Sequence, residues 1–185
     1  RITFLGAGGF NSQGTAGGTD DTARNDIFTV AAANVTWNAP FAGRTVPVTM
    51  GKMYTWIGYE LVENIGNPNY SHGLIYNNAI PFTHMGMSFD VSEFMPSDTL
   101  GLQLKLVNGW DSFIDNNEDK SVGFYLTYEP SDDWFWSLAA IYGNEGWNMR
   151  SGTSTDTSTR YTSANNGGAT MMYDIVVTYA LPQVD

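Results

Sequence analysis

The feature that most constrains the fold of this chain is an alternation of apolar and polar residues with a period of two. Within 121–129, every second position carries a large apolar residue: Val122, Phe124, Leu126 and Tyr128. Because successive side chains of a β-strand point to opposite sides, this pattern predicts strands rather than helices. About eight such runs of about ten residues occur, near 1–10, 26–38, 46–60, 82–93, 100–110, 120–129, 134–143 and 169–181.

The connections between these runs alternate in length. The short ones cover 38–44, 94–99 and 130–133, and the long ones cover 11–25, 61–81, 111–119 and 144–168. Hairpins with short turns at one rim and long loops at the other are typical of outer-membrane barrels, which leave no backbone group unpaired in lipid. We therefore predict an all-β, antiparallel up-and-down transmembrane β-barrel over 1–185, with about eight strands visible, either as a whole barrel or as part of a larger barrel.

The composition agrees with a wall that contacts lipid on one side and water on the other. Charged residues make up 15% and aromatic residues 14% of the chain, and about 25% charged is usual for soluble domains. The 8 basic and 19 acidic residues give a net charge of −11, which argues against nucleic acid as a partner. No run of apolar residues is long enough for a transmembrane helix, and the absence of cysteine excludes disulfides and thiolate metal sites.

The alternation assigns residues to two faces. The predicted lipid-facing residues are Leu102, Leu104, Leu106, Phe124, Leu126, Met87, Phe89, Ile175 and Val177. The predicted pore-lining residues are Lys105, Gln103, Asp90, Ser88, His84, Thr127, Tyr125, Ser137, Asp174 and Thr178. A lysine facing lipid at the bilayer midplane costs roughly 2–4 kcal/mol, so Lys105 is expected to point inward. An interior ion pair of Lys105 with Asp90 or Asp174, without a role in transport, is the alternative for this residue.

Lys52 shares the face of Val46, Val48 and Met50 in the run 46–60. A bulge near Gly51 would turn Lys52 inward, away from lipid.

Aromatic residues near the ends of the strands predict girdles at both membrane interfaces. These residues are Trp37, Trp134, Trp136, Tyr128, Tyr179, Tyr142 and Trp110.

Three local patterns point to other chemistry, and each one is incomplete. The Gly6-Ala7-Gly8 segment lacks the third glycine and the following helix of a dinucleotide site. Asp115, Asn117 and Asp119 match the start of a calcium loop, whose later Gly and Glu positions are missing, and weak divalent binding stays open. His72 and His84 have no clear third ligand for zinc. We therefore predict no catalytic residue, no metal site and no cofactor.

Two stretches resemble a known family. The first runs from Gly51-Lys52-Met53-Tyr54-Thr55 through Asn67-Pro68-Asn69-Tyr70-Ser71-His72 to Pro81-Phe82-Thr83-His84-Met85-Gly86. The second comprises Tyr142-Gly143-Asn144-Glu145-Gly146 and 173–179. They resemble the β-barrel porin-2 family, the outer-membrane porin-like proteins of Gram-negative bacteria. The family usually has Arg where this chain has His72, and a barrel protein usually ends on an aromatic residue where this chain has Asp185.

The resemblance implies an outer-membrane location in a Gram-negative bacterium and a porin. Because members are longer, it also implies that the chain is a portion of such a barrel, and it carries over no ligand site. The predicted function is passive diffusion of small hydrophilic solutes, with the loop 61–81 narrowing the path and a mild cation preference. The predicted partners are the lipid bilayer, lipopolysaccharide and these solutes, and homo-oligomerisation stays open.

Two alternatives remain from the sequence. The first is a small closed outer-membrane barrel that serves as an anchor or adhesin, since eight strands leave an interior filled by side chains. The second is a soluble β-sandwich that binds carbohydrate through Trp110 and Trp147.

Overall fold

In the computed structural model, the described residues are 2–7, 29–110, 119–144 and 169–181. They form one eight-stranded sheet in which every strand pairs antiparallel with its neighbours in the sequence. The strands are β1 (Ile2–Ala7), β2 (Thr29–Phe41), β3 (Arg44–Tyr54), β4 (Thr83–Asp90), β5 (Leu100–Val107), β6 (Ser121–Ser131), β7 (Trp134–Asn144) and β8 (Ala169–Tyr179). A short helix α1 covers Leu74–Ala79, and 3-10 turns cover Asn64–Gly66 and Ser92–Phe94.

This topology confirms the predicted all-β, up-and-down antiparallel order. The β-sandwich alternative is wrong, because the described strands belong to a single sheet. In the part of the chain that the structure describes, β1 and β8 form the two edges and do not pair with each other. These eight strands therefore do not close into the small barrel of the other alternative.

Strand boundaries differ from the prediction in several places, and two of the differences bear on the fold. The run 46–60 is a strand only as far as Tyr54, and residues 55–82 form the connection to β4. The short connection at 38–44 is tighter than expected, because β2 and β3 continue to a two-residue turn at Ala42-Gly43. Both turn residues have positive φ, 50° and 77°, which is the conformation that matches the twist of a tight hairpin.

The bulge near Gly51 that would turn Lys52 inward does not occur in β3. The register of β3 with β2 and β4 is continuous, and Lys52 pairs with Ala33 and Met85, on the same face as Met50. Gly51 has a φ of 123° without shifting this register. The Lys52 ammonium donates a 2.8 Å hydrogen bond to the Val30 carbonyl, which satisfies the charge without a bulge.

The connection 55–82, which we call the covering segment, packs against one face of the sheet. Ile57, Tyr76 and Ile80 of this segment are buried in a cluster with residues such as Ala139 and Ile141 of β7. We call this side of the sheet the loop-covered face and the opposite side the open face. No helix in the described ranges has the length and hydropathy required to cross a membrane.

Candidate functional site

The register shows which residues share the loop-covered face. Directly opposed residues of antiparallel strands project to the same side, so Ser88, Lys105 and Ile141 lie in one row across β4–β7. By the same pairing and alternation, every predicted pore-lining residue lies on this face. Whether the face lines water stays a prediction.

The open face carries the other half of the alternation. Every predicted lipid-facing residue lies on it, and no member of that set is buried. Leu104 and Val177 are exposed, as are Tyr173 and Met171 beside them. The clearest case is β8, whose odd-numbered residues are all exposed and whose even-numbered residues from Met172 to Thr178 are all half-buried. The leucines and phenylalanines of β5 and β6 therefore do not form a dry core.

The predicted girdle residues within strands also lie on the open face. Trp134 contacts Trp136 and Tyr179, with ring centroids 6.0 and 4.6 Å apart, close to the short turn between β6 and β7. Trp37, Tyr128 and Tyr142 share this face through their pairs. Trp110 differs, because it lies beyond β5 in the connection to β6 and is half-buried.

Two hydrogen bonds fix the start of the covering segment to strands far along the chain. The Trp56 indole Nε1 donates to the Ala140 carbonyl of β7 at 3.3 Å. The Gly58 backbone N–H donates to the Asp174 carboxylate of β8 at 3.1 Å. Gly123 makes room for the indole, because a Cβ at that position would lie 2.6 Å from Trp56 Cζ2. The segment is thus seated on β6, β7 and β8.

The base of the covering segment is closed around a buried histidine. Thr55 N–H donates to the Phe82 carbonyl at 3.0 Å, which joins the two ends of the segment. His84 is 1% exposed, and its Nδ1 donates to the Gly109 carbonyl at 2.9 Å. Its Nε2 lies 3.2 Å from Thr55 Oγ1, and Trp56 packs over the ring at 4.3 Å. His84 is therefore a buried anchor, and the expectation that it lines water is wrong.

The middle of the covering segment is tied to itself. The Asn67 side-chain amide pairs with both backbone groups of Leu61, at 2.7 and 2.8 Å. His72 Nε2 donates to the Leu61 carbonyl at 2.9 Å. The His72 ring stacks on Tyr76 at 3.7 Å. These contacts make the segment a folded unit on the sheet rather than an open loop.

Lys105 is held on the loop-covered face by neutral groups. Its Nζ donates to Ser88 Oγ at 2.7 Å and to Gln103 Oε1 at 2.6 Å, and it lies 5.4 Å from the centroid of the Trp56 ring. No carboxylate of the described residues forms an ion pair with it. Asp90 nevertheless lies near enough to attract the ammonium electrostatically, without a direct contact between the two groups.

A half-open pocket of about 400 Å³ lies between the start of the covering segment and strands β5 and β6. Its wall on the sheet includes Gln103, Lys105 and Tyr125, and its wall on the segment includes Glu60 and Glu63. The pocket therefore places one cation and two carboxylates around a space open to solvent. No group of metal-ligating residues occurs within the described ranges. Asp115 and Asn117 of the calcium-like pattern lie outside those ranges.

The family model described as Putative beta-barrel porin-2, OmpL-like, matches residues 4–183. The chain belongs to this family. Membership in the porin-2 family agrees with the antiparallel meander and with the two unlike faces of the sheet. No curated protein and no solved structure matches the chain significantly.

Sequence reasoning missed the residues that seat the covering segment of this porin-2 chain. Trp56, Gly58 and Gly123 received no role, because the contacts that they make join distant positions. The Trp56–Ala140 and Gly58–Asp174 hydrogen bonds span 84 and 116 positions. The one local signal was Gly123, a glycine inside an otherwise bulky strand, which often marks the close approach of another group.

Proposed function

We propose that this chain forms part of the wall of an outer-membrane pore that allows passive diffusion of small hydrophilic solutes. In this proposal the open face contacts lipid and the loop-covered face borders the water-filled lumen. The covering segment narrows that lumen. The two edge strands pair with further strands to close a barrel wider than eight strands. Membership in a porin family supports this function.

The observation that carries the proposal is the exposure of many large apolar side chains on the open face, from β2 to β8. Ile175 is 63% exposed, and Trp37, Val122 and Tyr142 are more than half exposed. Soluble proteins rarely expose a contiguous apolar surface of this extent, whereas hydrocarbon solvates it well. The half-buried residues on the other face of β8 include the polar Asp174 and Thr178, as expected of a wall that borders water.

The covering segment supports a narrowed rather than a filled pore. It starts at the rim with the long connections and is fixed to β7 and β8 by Trp56 and Gly58. The pocket beside it remains open to solvent. The selectivity of a pore usually depends on its diameter and on the charges that line it. Here the fixed segment would set the diameter, and the residues beside it would set the charge.

Planar-bilayer recordings of the full-length polypeptide test this function. We expect discrete conductance steps, and swelling of proteoliposomes in small sugars that slows as the sugar becomes larger. Protein unfolded before reconstitution is the control and should give neither signal. Correctly inserted protein that passes neither ions nor sugars would contradict the proposal and favour the anchor or adhesin function.

A further inference from the structure

The charges of the pocket beside the covering segment are opposite in sign and lie on different elements. Lys105 belongs to β5, whereas Glu60 and Glu63 belong to the covering segment. Glu60 accepts the Gly73 backbone N–H at 2.9 and 3.0 Å, and Glu63 accepts the Tyr54 hydroxyl at 3.2 Å. Neutral donors thus hold both carboxylates in place without cancelling their charge.

Neutral hydrogen-bonding groups also hold the Lys105 side chain in place. Its ammonium carries three N–H donors, and neutral oxygens of Ser88 and Gln103 accept two of them. The cation and the two carboxylates are therefore separately fixed around one space. Partial enclosure lowers the effective dielectric constant there, so a charged group that enters feels these charges more strongly than in bulk water.

We propose that this pocket is a binding site for small zwitterionic solutes, with the carboxylate of the solute toward Lys105 and its ammonium toward Glu60 and Glu63. The proposal rests on the pore function above and names the class of solute that the pore favours. A volume of about 400 Å³ falls in the usual range of small-molecule pockets, about 300–1,000 Å³.

The arrangement of charge favours a zwitterion over either ion alone. A simple anion gains attraction from Lys105 but meets two carboxylates across the pocket. A simple cation gains attraction from Glu60 and Glu63 but is repelled by Lys105. Only a solute with both charges finds complementary partners on both walls, whereas a simple anion or a simple cation gains a partner on one wall alone.

Four solutes of nearly equal size test this inference on the full-length protein in proteoliposomes. They are glycine, glycolate, glycinamide and glycolamide, which in mildly acidic buffer are zwitterionic, anionic, cationic and neutral. We expect glycine to enter about threefold to fivefold faster than the other three at low concentration, the effect of one partly solvated charge contact. Entry is measured with isotope-labelled solutes.

Three variants locate the effect. Lys105→Met should remove the advantage of glycine over glycolamide, and the double variant Glu60→Gln with Glu63→Gln should remove it as well. Lys120→Met removes the same charge at an exposed position outside the pocket and should keep the advantage. Glycolamide entry also reports that each variant is folded and inserted. If either pocket variant no longer admits glycolamide, the test rests on the remaining pocket variant.

The outcomes separate this inference from the proposed pore function. Equal entry of all four solutes, or faster entry of glycolate than of glycine, overturns the zwitterion site while the pore stands. Loss of the advantage in Lys120→Met assigns it to overall charge and also overturns the site. Failure of every solute to enter overturns the pore function itself.

Discussion

The open face and the loop-covered face are built from the same strands, yet only the loop-covered face is packed against the covering segment. On β8, Ile175 is 63% exposed, whereas its neighbour Val176 is half-buried. On the loop-covered face the covering segment buries Ala139 and Ile141 of β7. The difference indicates that the open face is adapted to a surrounding medium and the loop-covered face to a specific piece of protein.

The largest expected effect comes from placing a charge on each face of the same strand. Ile175→Arg puts a guanidinium on the open face near the middle of β8 and should cost about 2–4 kcal/mol of folding free energy in lipid vesicles. Val176→Arg is the matched control, one residue along and on the other face, and should cost much less. Urea unfolding in vesicles measures both. Equal losses would mean that the two faces do not meet different media.

A second prediction concerns how the loop-covered face holds its partner. Asp174→Leu removes the acceptor of the Gly58 N–H, and a hydrogen bond to a charged group contributes about 1.5–3 kcal/mol. The covering segment should then detach at least about tenfold more often. Chymotrypsin cleavage at the exposed Tyr59 and Tyr70 measures detachment.

Two controls accompany this measurement. Asp174→Asn keeps a carbonyl acceptor and should show a smaller increase in cleavage. Asp133→Leu changes an exposed turn residue far from the segment and should show none. An unchanged cleavage rate in Asp174→Leu would mean that the carboxylate does not anchor the segment.

The sequence was sufficient to assign strand residues to the two faces of the sheet. It was insufficient to predict that the covering segment packs against one of these faces. Period-two alternation determines which residues of a strand share a side, so the sets that contain Leu104 and Lys105 followed directly. The predicted strand near 46–60 is wrong beyond Tyr54, where the observed strand ends. The chain leaves the sheet there because Thr55 pairs with the Phe82 carbonyl and Trp56 with β7.

Lys52 illustrates the same limit. A lysine on an apolar face suggested a bulge, but a hydrogen bond to the Val30 carbonyl satisfies it within an unbroken register. That carbonyl lies 22 positions away, so no local pattern could reveal it. Contacts between residues far apart in the sequence determine both the orientation of Lys52 and the position of the covering segment on the sheet.

A third prediction tests the space that Gly123 provides. Gly123→Leu places side-chain atoms where the Trp56 ring and the Ala140 carbonyl lie, each 2.6 Å from a new Cβ. Overpacking of this kind costs about 1–3 kcal/mol and should displace the indole. Leu126→Ile, on the open face of the same strand, is the control and should leave chymotrypsin cleavage of the segment unchanged. Wild-type cleavage in Gly123→Leu would mean that the indole is not seated there.

The smallest expected effect separates charge on the loop-covered face from charge at the rim. The net charge of −11 predicts a mild cation preference, measured as the reversal potential under a salt gradient. Exposed carboxylates at the short-turn rim, such as Asp132 and Asp133, are screened beyond about 8 Å at physiological salt. Asp90 lies on the loop-covered face and is half-buried, where screening is weaker.

Asp90→Asn should therefore lower the cation preference at both low and high salt. The double variant Asp132→Asn with Asp133→Asn should lower it at low salt only. Identical salt dependence in the two variants would place both charges in the same environment and remove the electrical distinction between wall and rim. A clear anion preference of the unaltered protein would contradict the prediction altogether, since it would make Lys105 rather than the carboxylates the dominant charge along the path.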